Sequence, residues 1–380
     1  MKKVALYIHI PFCKNKCFYC DFPSFSGNEE YMIDYVKSLS KEINNINKKY
    51  KNYIIETIFI GGGTPTYLSL DGFKILKESI DKLNISPTVE FTVEGNPGTF
   101  TLEKLQFLKE MGVNRLSIGL QAWQNSLLKT LGRIHNIDEF QQSYNMARKL
   151  GFNNINVDLM FGLPNQNLKM WEETLNNVLK LNPEHISCYS LIIEEGTPFY
   201  NLYEQDKLEL PSEEEERTMY HKTLEILKNK GYYQYEISNF SKKGKECRHN
   251  LVYWELNPYI GCGSSAHSYI DGIRYSNCGK ISEYIERINK GDNAIVCKNE
   301  NVIEEDIEEF MFLGLRKIKG VNKEEFKRRF SKDIYDVYGE VINKYKKLKL
   351  LNEDNMGNIY LTYQGIEVSN SVLCEFILEK

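Results

Sequence analysis

The sequence has 380 residues, of which 42% are hydrophobic and 26% are charged, and its formal net charge is −4. These proportions are typical of a globular protein, and the length predicts two domains or one large barrel with an appendage. The weak negative charge leaves no electrostatic footprint for nucleic acid, so we expect no nucleic-acid partner. No apolar run approaches the roughly 18 residues of a membrane span, and no secretory leader is recognisable, so we expect a cytoplasmic protein.

Short β-branched runs alternate with longer amphipathic runs over the first 240 residues. The strands are predicted at Lys3–Ile10, Glu56–Ile60, Thr88–Glu94, Arg115–Leu120, Asn154–Phe161 and His185–Ile192. The helices are predicted at Glu30–Asn47, Leu70–Leu83, Leu102–Met111, Ile137–Leu150 and Leu168–Leu181. Near-continuous apolar strands between amphipathic helices indicate an α/β fold with a parallel sheet. The pattern predicts a partial (β/α)6 barrel of the TIM type over residues 1–240, because a full barrel would need a longer alternation.

The pattern changes twice after the predicted barrel. Residues 241–303 are rich in Gly, Asn, Ser and Tyr, which predicts an extension of irregular strands and loops. Helical patterns resume near Glu304, followed by two short strand-like pieces and a last predicted helix at Gln364–Glu379. This order predicts a small winged-helix-like domain over residues 304–380. Its basic residues stand beside many acids, so nucleic acid is still not expected as a partner.

Three cysteines, Cys13, Cys17 and Cys20, form a C-x3-C-x2-C run directly after the first predicted strand. Three thiolates on one tight loop can hold three irons of a [4Fe–4S] cluster and leave the fourth iron open to a small molecule. Structural zinc sites usually have four protein ligands, and an odd number of cysteines argues against a disulfide framework. The run therefore favours a cluster over a zinc site or incidental buried thiols.

Further distinctive residues also follow predicted strands. Gly61–Pro65 follows the second strand, Glu94–Pro97 ends the third, Gln121 follows the fourth, and Asp158 lies late in the fifth. In parallel barrels, functional residues lie at the carboxyl ends of the strands. Glycine lets backbone groups approach a ligand closely, and the two carboxylates are strong hydrogen-bond acceptors. We therefore expect a ligand site at this end of the barrel.

The cysteine run, the aromatic Tyr19 before its last cysteine, and the Gly-Gly-Gly-Thr-Pro segment together resemble the radical S-adenosylmethionine (SAM) superfamily. The resemblance implies a [4Fe–4S] cluster on the three cysteines, with the amino and carboxylate groups of SAM chelating the open iron. Five ordered motifs narrow it to the oxygen-independent coproporphyrinogen III oxidase group: Tyr7–Cys13, Gly61–Pro65, Leu116–Gln121, Leu131–His135 and Asn156–Pro164. The residues that the resemblance places at the SAM site are Tyr7, Tyr19, Gly62, Gly63, Thr64, Glu94, Gln121, Arg133 and Asp158.

This group has two branches, and the sequence departs from one of them. True oxidases resemble C-x3-C-x2-C-x-C and carry a long N-terminal extension, whereas this sequence has Phe22 in place of the extra cysteine and begins six residues before Tyr7. The oxidase branch implies radical-SAM oxidative decarboxylation of coproporphyrinogen III to protoporphyrinogen IX, which is the alternative function. The sequence leaves open whether any turnover occurs, and it predicts no catalytic residue.

The other branch, the HemW-type heme chaperones, has an H-N-x-x-Y-W motif that matches His249–Trp254. The resemblance implies heme bound near His249, Tyr253 and Trp254, since an imidazole can ligate heme iron and aromatic rings can stack on a porphyrin. Weaker candidates for a heme contact are His267 and Cys247. The predicted function is that of a heme chaperone in porphyrin metabolism. The resemblance further implies transfer to an acceptor hemoprotein, such as a membrane-associated respiratory enzyme, and is compatible with a homodimer.

Overall fold

The computed structural model describes residues 1–378, and one twelve-stranded sheet dominates it. Its strands are β1 (Lys2–Ile10), β2 (Tyr53–Gly62), β3 (Ile85–Gly95), β4 (Arg115–Gln121), β5 (Ile155–Phe161), β6 (His185–Ser190), β7 (Tyr233–Glu236), β8 (Asn239–Ser241), β9 (Tyr259–Cys262), β10 (His267–Ile270), β11 (Ile273–Asn277) and β12 (Ile295–Glu300). Strands β1 to β6 lie side by side in chain order and pair in parallel. They form the predicted α/β partial barrel.

Helices follow the barrel strands as the amphipathic pattern predicts. They are α1 (Met32–Lys49), α2 (Leu70–Ile80), α3 (Leu102–Glu110), α4 (Asn125–Thr130), α5 (Ile137–Lys149), α6 (Leu168–Leu181), α7 (Pro198–Tyr203), α8 (Glu213–Asn229), α9 (Arg248–Trp254) and α10 (Ile281–Asn289), with short 3₁₀ turns at Glu29–Tyr31 and Pro65–Tyr67. Helix α8 begins after Ser212, whose side chain accepts the N–H of Glu215. Its acidic first turn lies where the helix dipole favours negative charge.

Residues 241–303 are more regular than the loop-rich extension that the composition predicts. Strand β9 pairs in parallel with β1, and β10, β11 and β12 continue the sheet in antiparallel order. At the other edge, β8 pairs antiparallel with β6 and β7 with β8. The short strands satisfy the backbone groups at both edges of the parallel sheet, which glycine-rich and asparagine-rich composition does not reveal. Helix α9 contacts β2 and the C-terminal part of the chain.

The C-terminal part has the helices and the small sheet of the predicted winged-helix-like domain. Its elements are α11 (Ile303–Gly314), β13 (Val321–Asn322), α12 (Lys323–Phe330), α13 (Ile334–Lys347), β14 (Leu351–Glu353), β15 (Asn358–Leu361), α14 (Tyr363–Glu367) and α15 (Ser369–Leu373). The helix predicted at Gln364–Glu379 is wrong as one piece, because the backbone leaves the helical region at Val368 (φ −116°, ψ 27°). A 3₁₀ turn follows at Cys374–Phe376, and Glu379 lies outside the described residues.

Two large clusters of buried apolar side chains hold the chain together. One lies between the parallel sheet and its helices and includes Ile58 and Trp171, and the other includes Phe310 and Phe326 of the C-terminal part. Leu256, which follows α9, belongs to the second cluster. The division of the chain at residues 240 and 303 therefore stays a prediction. Among the helices of residues 1–378, none has the length and apolar character needed to cross a bilayer.

Candidate functional site

Backbone hydrogen bonds fix the cysteine loop to the end of β1. The N–H of Phe25 donates to the oxygen of Pro11 (2.8 Å), and the N–H of Cys13 donates to the oxygen of Phe25 (2.9 Å). Farther along the loop, the N–H of Phe18 donates to the oxygen of Leu131 (3.0 Å). The loop thereby brings all three cysteines to the wall of one cavity of about 410 Å³ at the carboxyl ends of the barrel strands.

Two glycines after β2 form the cavity wall beside these cysteines. Gly62 has a φ of 111°, and a Cβ atom there would lie 2.5 Å from the ring of His9. A Cβ atom on Gly63 would lie 2.8 Å from the oxygen of Phe12 and 3.0 Å from the sulfur of Cys13. Only glycine fits at both positions, so this segment can pack closely against His9 and the cysteine loop while it lines the cavity.

A line of polar side chains connects the glycine segment with the cysteine loop. Thr64 Oγ1 lies 3.5 Å from Cys13 Sγ and accepts a hydrogen bond from Asn96 Nδ2 (2.8 Å). Asn96 Oδ1 in turn accepts from Arg133 Nη2 (2.6 Å), and Arg133 Nη1 lies 3.5 Å from Cys17 Sγ. The Arg133 guanidinium is therefore held beside the thiols, where it can stabilise negative charge on sulfur.

Two partly buried acidic side chains, Glu94 and Asp158, also line the cavity. Burial, reinforced by the nearby Asp158, raises the pKa of Glu94 to about 8, although the Gly62 N–H bonds to its carboxyl group (3.2 Å). Burial also raises the pKa of Asp158, against hydrogen bonds from Ser117 (3.0 Å) and Asn156 (2.7 Å). Two neighbouring acids of this kind favour a ligand that brings positive charge or hydroxyl donors.

The donor set of the cavity fits an iron–sulfur cluster with SAM beside it. Sulfur donors on one wall suit iron–sulfur chemistry, and the glycine wall and acidic wall suit the polar ends of SAM. Within residues 1–378, no group of three or more His, Cys, Asp or Glu side chains is gathered for a single metal ion. The three thiols are therefore spread more widely than a mononuclear site requires.

Seven of the nine residues predicted for SAM line this cavity: Tyr19, Gly62, Gly63, Glu94, Gln121, Arg133 and Asp158. Thr64 does not line the cavity and instead lies behind Cys13, where it bonds to Asn96. Tyr7 lies deeper in the barrel, with its hydroxyl 3.0 Å from His9 Nδ1 and its ring centroid 6.4 Å from that of His249. The structure thus brings most, but not all, of the predicted residues together.

Polar residues that line the same cavity but were not predicted for SAM include Asn96, Ser117 and Tyr189. Asn96 orients Arg133, and Ser117 donates to Asp158. Ser117 lies two and four residues before Gly119 and Gln121 on β4, which also line the cavity. The alternation of side chains along a strand could therefore have identified Ser117, whereas the position of Asn96 in the segment Glu94–Pro97 does not reveal its bond to Arg133.

His249, the first residue of the predicted heme motif, is 1% exposed inside the barrel. Its Nδ1 lies 2.8 Å from Thr57 Oγ1, and its Nε2 lies 2.9 Å from the hydroxyl of Tyr253. Burial, reinforced by the charge of Arg115, lowers the pKa of His249 to about 3, so the imidazole is neutral. Its ring centroid lies 5.0 Å from that of Phe59. Both ring nitrogens therefore have protein partners in this conformation.

The rest of the motif lies on α9, which Glu90 anchors at its start. The Glu90 carboxylate accepts the N–H groups of Arg248 and His249, each at 3.0 Å. At the other end of α9, the Arg316 guanidinium stacks 4.7 Å from the centroid of the Trp254 ring. The motif residues are thus engaged with the barrel on one side and with the C-terminal part on the other.

The two weaker heme candidates lie in different environments. His267 is exposed on β10. Cys247 is fully buried at the start of α9, where burial raises the pKa of its thiol to about 12 and its sulfur lies 3.6 Å from Glu90 Oε1. A protonated, buried thiol is a poor ligand for iron.

Comparison with known proteins identifies the superfamily and supports the fold. A family model described as "Radical SAM superfamily" matches residues 7–178, and one described as "HemN C-terminal domain" matches residues 304–368. Among solved structures, the coproporphyrinogen III oxidase (HemN) of Escherichia coli, titled a radical SAM enzyme, superposes with a TM-score of 0.86 at 22% identity. The match covers 99% of this chain and 90% of that one, and it supports the fold.

The similarity extends over the full length in curated relatives. The Bacillus subtilis protein named "Heme chaperone HemW" is 42% identical over 99% of both chains. The Lactococcus lactis protein of the same name is 38% identical over 100% of this chain and 98% of its own length. The Escherichia coli protein of that name is 38% identical over 70% of each chain. The chain therefore belongs to the radical SAM superfamily and, within it, to the HemW heme chaperone family.

Proposed function

We propose that this protein binds heme and passes it to an acceptor hemoprotein. The observation that carries the proposal is the full-length similarity to proteins named heme chaperone HemW, at 42% identity over 99% of the chain. Respiratory hemoproteins, including membrane-associated ones, are the proposed acceptors. The cytoplasm is the proposed compartment, and a homodimer is the proposed assembly.

The carboxyl-end cavity is the proposed site for the [4Fe–4S] cluster and SAM. Cys13, Cys17 and Cys20 would hold the cluster, and the Gly62–Gly63 backbone would face the methionyl end of SAM. When bound, the cluster supplies an electron-transfer partner beside SAM. Glu94 and Asp158 are proposed to accept hydrogen bonds from the ammonium or ribose hydroxyl groups of SAM. These bonds would stabilise the ionised carboxylates and so oppose the burial that raises the pKa of both acids.

The heme is proposed to bind at α9, on His249, with Tyr253 and Trp254 against the porphyrin. A neutral imidazole is the form that ligates iron, and the low pKa of His249 keeps it in that form at neutral pH. Ligation requires that His249 release Thr57 or Tyr253, which bond to its two ring nitrogens. We therefore propose that α9 moves away from the barrel when heme binds.

The test combines heme binding with a search for turnover. Heme is titrated into the reconstituted protein, and the Soret band is followed for the parent chain, His249→Ala, and His267→Ala. Loss of most binding in His249→Ala, with binding kept in His267→Ala, supports the proposed site. Loss only in His267→Ala moves the site to the exposed histidine on β10.

The same protein is then incubated anaerobically with reductant, SAM and coproporphyrinogen III. Sustained conversion to protoporphyrinogen IX would replace the chaperone proposal with the oxidase function. We expect no sustained conversion. In place of the extra cysteine of true oxidases, the chain has Phe22, which is 61% exposed at the mouth of the cavity.

A further inference from the structure

A continuous line of hydrogen bonds joins the SAM cavity to the start of α9. Asn156 Nδ2 donates to Asp158 Oδ1 in the cavity wall (2.7 Å), and His185 Nδ1 lies 2.6 Å from Asn156 Oδ1. His185 Nε2 lies 2.8 Å from the Tyr235 hydroxyl, which accepts the N–H of Cys247 (3.3 Å). Cys247 is the residue from which α9 begins.

The direction of each hydrogen bond in this line is fixed by chemistry. The Asp158 carboxylate only accepts, so the amide nitrogen of Asn156 faces it and the amide oxygen faces His185. His185 must therefore donate from Nδ1, and, since burial holds its pKa well below the usual value, its neutral Nε2 accepts from Tyr235. The line is polarised in one sense from the backbone N–H of Cys247 to Asp158, and such chains strengthen cooperatively.

Polar contacts hold the α9 end of the line in place. His249 is the one residue of this seven-residue helix that is classed as buried, and polar contacts hold it in place. The Glu90 carboxylate and the Tyr235 hydroxyl both hold the start of the helix through backbone N–H groups. A short helix with little buried apolar surface opens locally at small cost, so polar anchors decide its position.

A buried cation of the barrel, Arg115, interacts with groups at both ends of the line. Arg115 is 2% exposed. Burial disfavours the charge of this guanidinium, but Cys247, Glu90 and Asp158 outweigh that effect and raise its pKa above the usual value. Arg115 thus interacts both with Asp158 in the cavity wall and with Cys247 and Glu90 at the start of α9.

We propose that SAM bound at Asp158 holds α9 against the barrel through His185 and Tyr235, so that SAM and heme weaken each other's binding. The proposal rests on the proposed function, because it requires heme at α9 and SAM in the cavity. Hydroxyl or ammonium donors of SAM keep Asp158 ionised, which makes it a stronger acceptor for Asn156. The polarised line then strengthens the hold of Tyr235 on Cys247. In this scheme His185 and Tyr235 are positioning residues.

The experiment measures the coupling in both directions. The heme Kd of the cluster-loaded protein is determined with and without saturating SAM, and the SAM Kd with and without heme. We expect SAM to weaken heme binding at least about fivefold, and linkage requires the same factor in the reverse titration. Tyr235→Phe removes the hydroxyl in the middle of the line, and we expect its coupling factor to fall to near 1. The matched control is Tyr232→Phe, whose hydroxyl donates to Pro183 outside the line (2.5 Å) and whose coupling should stay at the parent value.

Hydrogen exchange of the α9 amides gives a readout that does not require heme. SAM should slow exchange at Arg248 and His249 in the parent chain and in Tyr232→Phe, but not in Tyr235→Phe. Should Tyr235→Phe unfold, His185→Gln interrupts the same line and must lose coupling likewise. A parent chain that binds heme and SAM independently, or a Tyr235→Phe variant with full coupling, overturns the inference alone. A parent chain that binds no heme overturns the proposed function and the coupling together.

Discussion

The cavity at the carboxyl end of the barrel and the α9 region differ in whether their polar side chains are available to a ligand. In the cavity, Glu94 and Asp158 are partly buried neighbours that line the wall, and burial raises the pKa of both. At α9, the ring nitrogens of His249 both have partners, and Glu90 satisfies the first backbone N–H groups of the helix. The acids of the cavity are placed where a ligand can bind to them. At α9, by contrast, the hydrogen-bonding groups of His249 and the first backbone N–H groups already have partners within the protein.

This difference predicts two kinds of binding. A ligand of the cavity meets groups that are already placed, so little of its binding free energy is spent on rearrangement. A ligand of His249 must compete with Thr57 and Tyr253, so its apparent affinity is reduced by the fraction of molecules in which α9 is open. Variants at the two places should therefore behave differently.

The largest expected effect is at the cysteine loop. Cys17→Ser removes one of three sulfur donors, and we expect iron and sulfide content after anaerobic reconstitution to fall to background. Heme binding without SAM should change less than about twofold, because α9 and the loop use separate groups. Cys297→Ser, at an exposed cysteine of β12, is the control and should reconstitute fully. A normal iron content in Cys17→Ser would show that Cys17 is not a ligand of the cluster and would contradict the proposed cluster site.

A pH-dependent effect on stability comes next. Because the pKa of Glu94 rises from 4.5 to about 8 in the folded state, the folded chain holds a proton there that the unfolded chain has released. This contribution to stability is fully present below pH 4.5 and is lost as the pH rises to about 8. The free energy of unfolding of the parent chain should therefore decline by on the order of 4 kcal/mol as the pH rises, and Glu94→Gln should not show this decline.

The measurement is urea unfolding of the chain before cluster reconstitution, from pH 5 to 9. Glu103→Gln, an exposed acid of α3, should keep the slope of the parent chain. If Glu94→Gln also keeps that slope, Glu94 is ionised in the folded chain near neutral pH, and burial does not raise its pKa in the way that the comparison requires.

The sequence predicts the cavity far better than it predicts the state of α9. Cysteine spacing and the glycine segment follow strands of a regular parallel sheet, so the strand pattern alone places Cys13, Gly63 and Asp158 at one end. The burial of His249 depends on Thr57 and Glu90, which lie 192 and 159 residues away in the chain. A motif shows which residue types are near one another in sequence, but not which distant side chains occupy their hydrogen-bonding groups. The same limit applies to β9, whose parallel partner β1 lies far away in the chain, so the composition of residues 241–303 predicted irregular strands and loops rather than a continuation of the sheet.

The smallest expected effect is at Thr57, where removing a hydrogen bond should improve binding. Thr57→Val keeps the shape of the side chain but frees His249 Nδ1, which lies 2.8 Å from the Thr57 hydroxyl. One such hydrogen bond contributes about 1 kcal/mol, so heme should bind about fivefold more tightly in a Soret titration without SAM. Thr92→Val is the matched control, since the buried Thr92 hydroxyl has no hydrogen-bond partner in the described part of the chain.

The sign of the Thr57 effect separates two accounts of the heme motif. If His249 ligates heme, each protein partner of its ring is a competitor, and loss of Thr57 helps heme. If His249 is only a structural residue that holds α9, loss of Thr57 loosens the helix without creating an iron ligand, and heme affinity stays the same or falls. A tighter Thr57→Val variant that loses its gain when combined with His249→Ala would assign the gain to the imidazole itself, because the two changes would then be coupled.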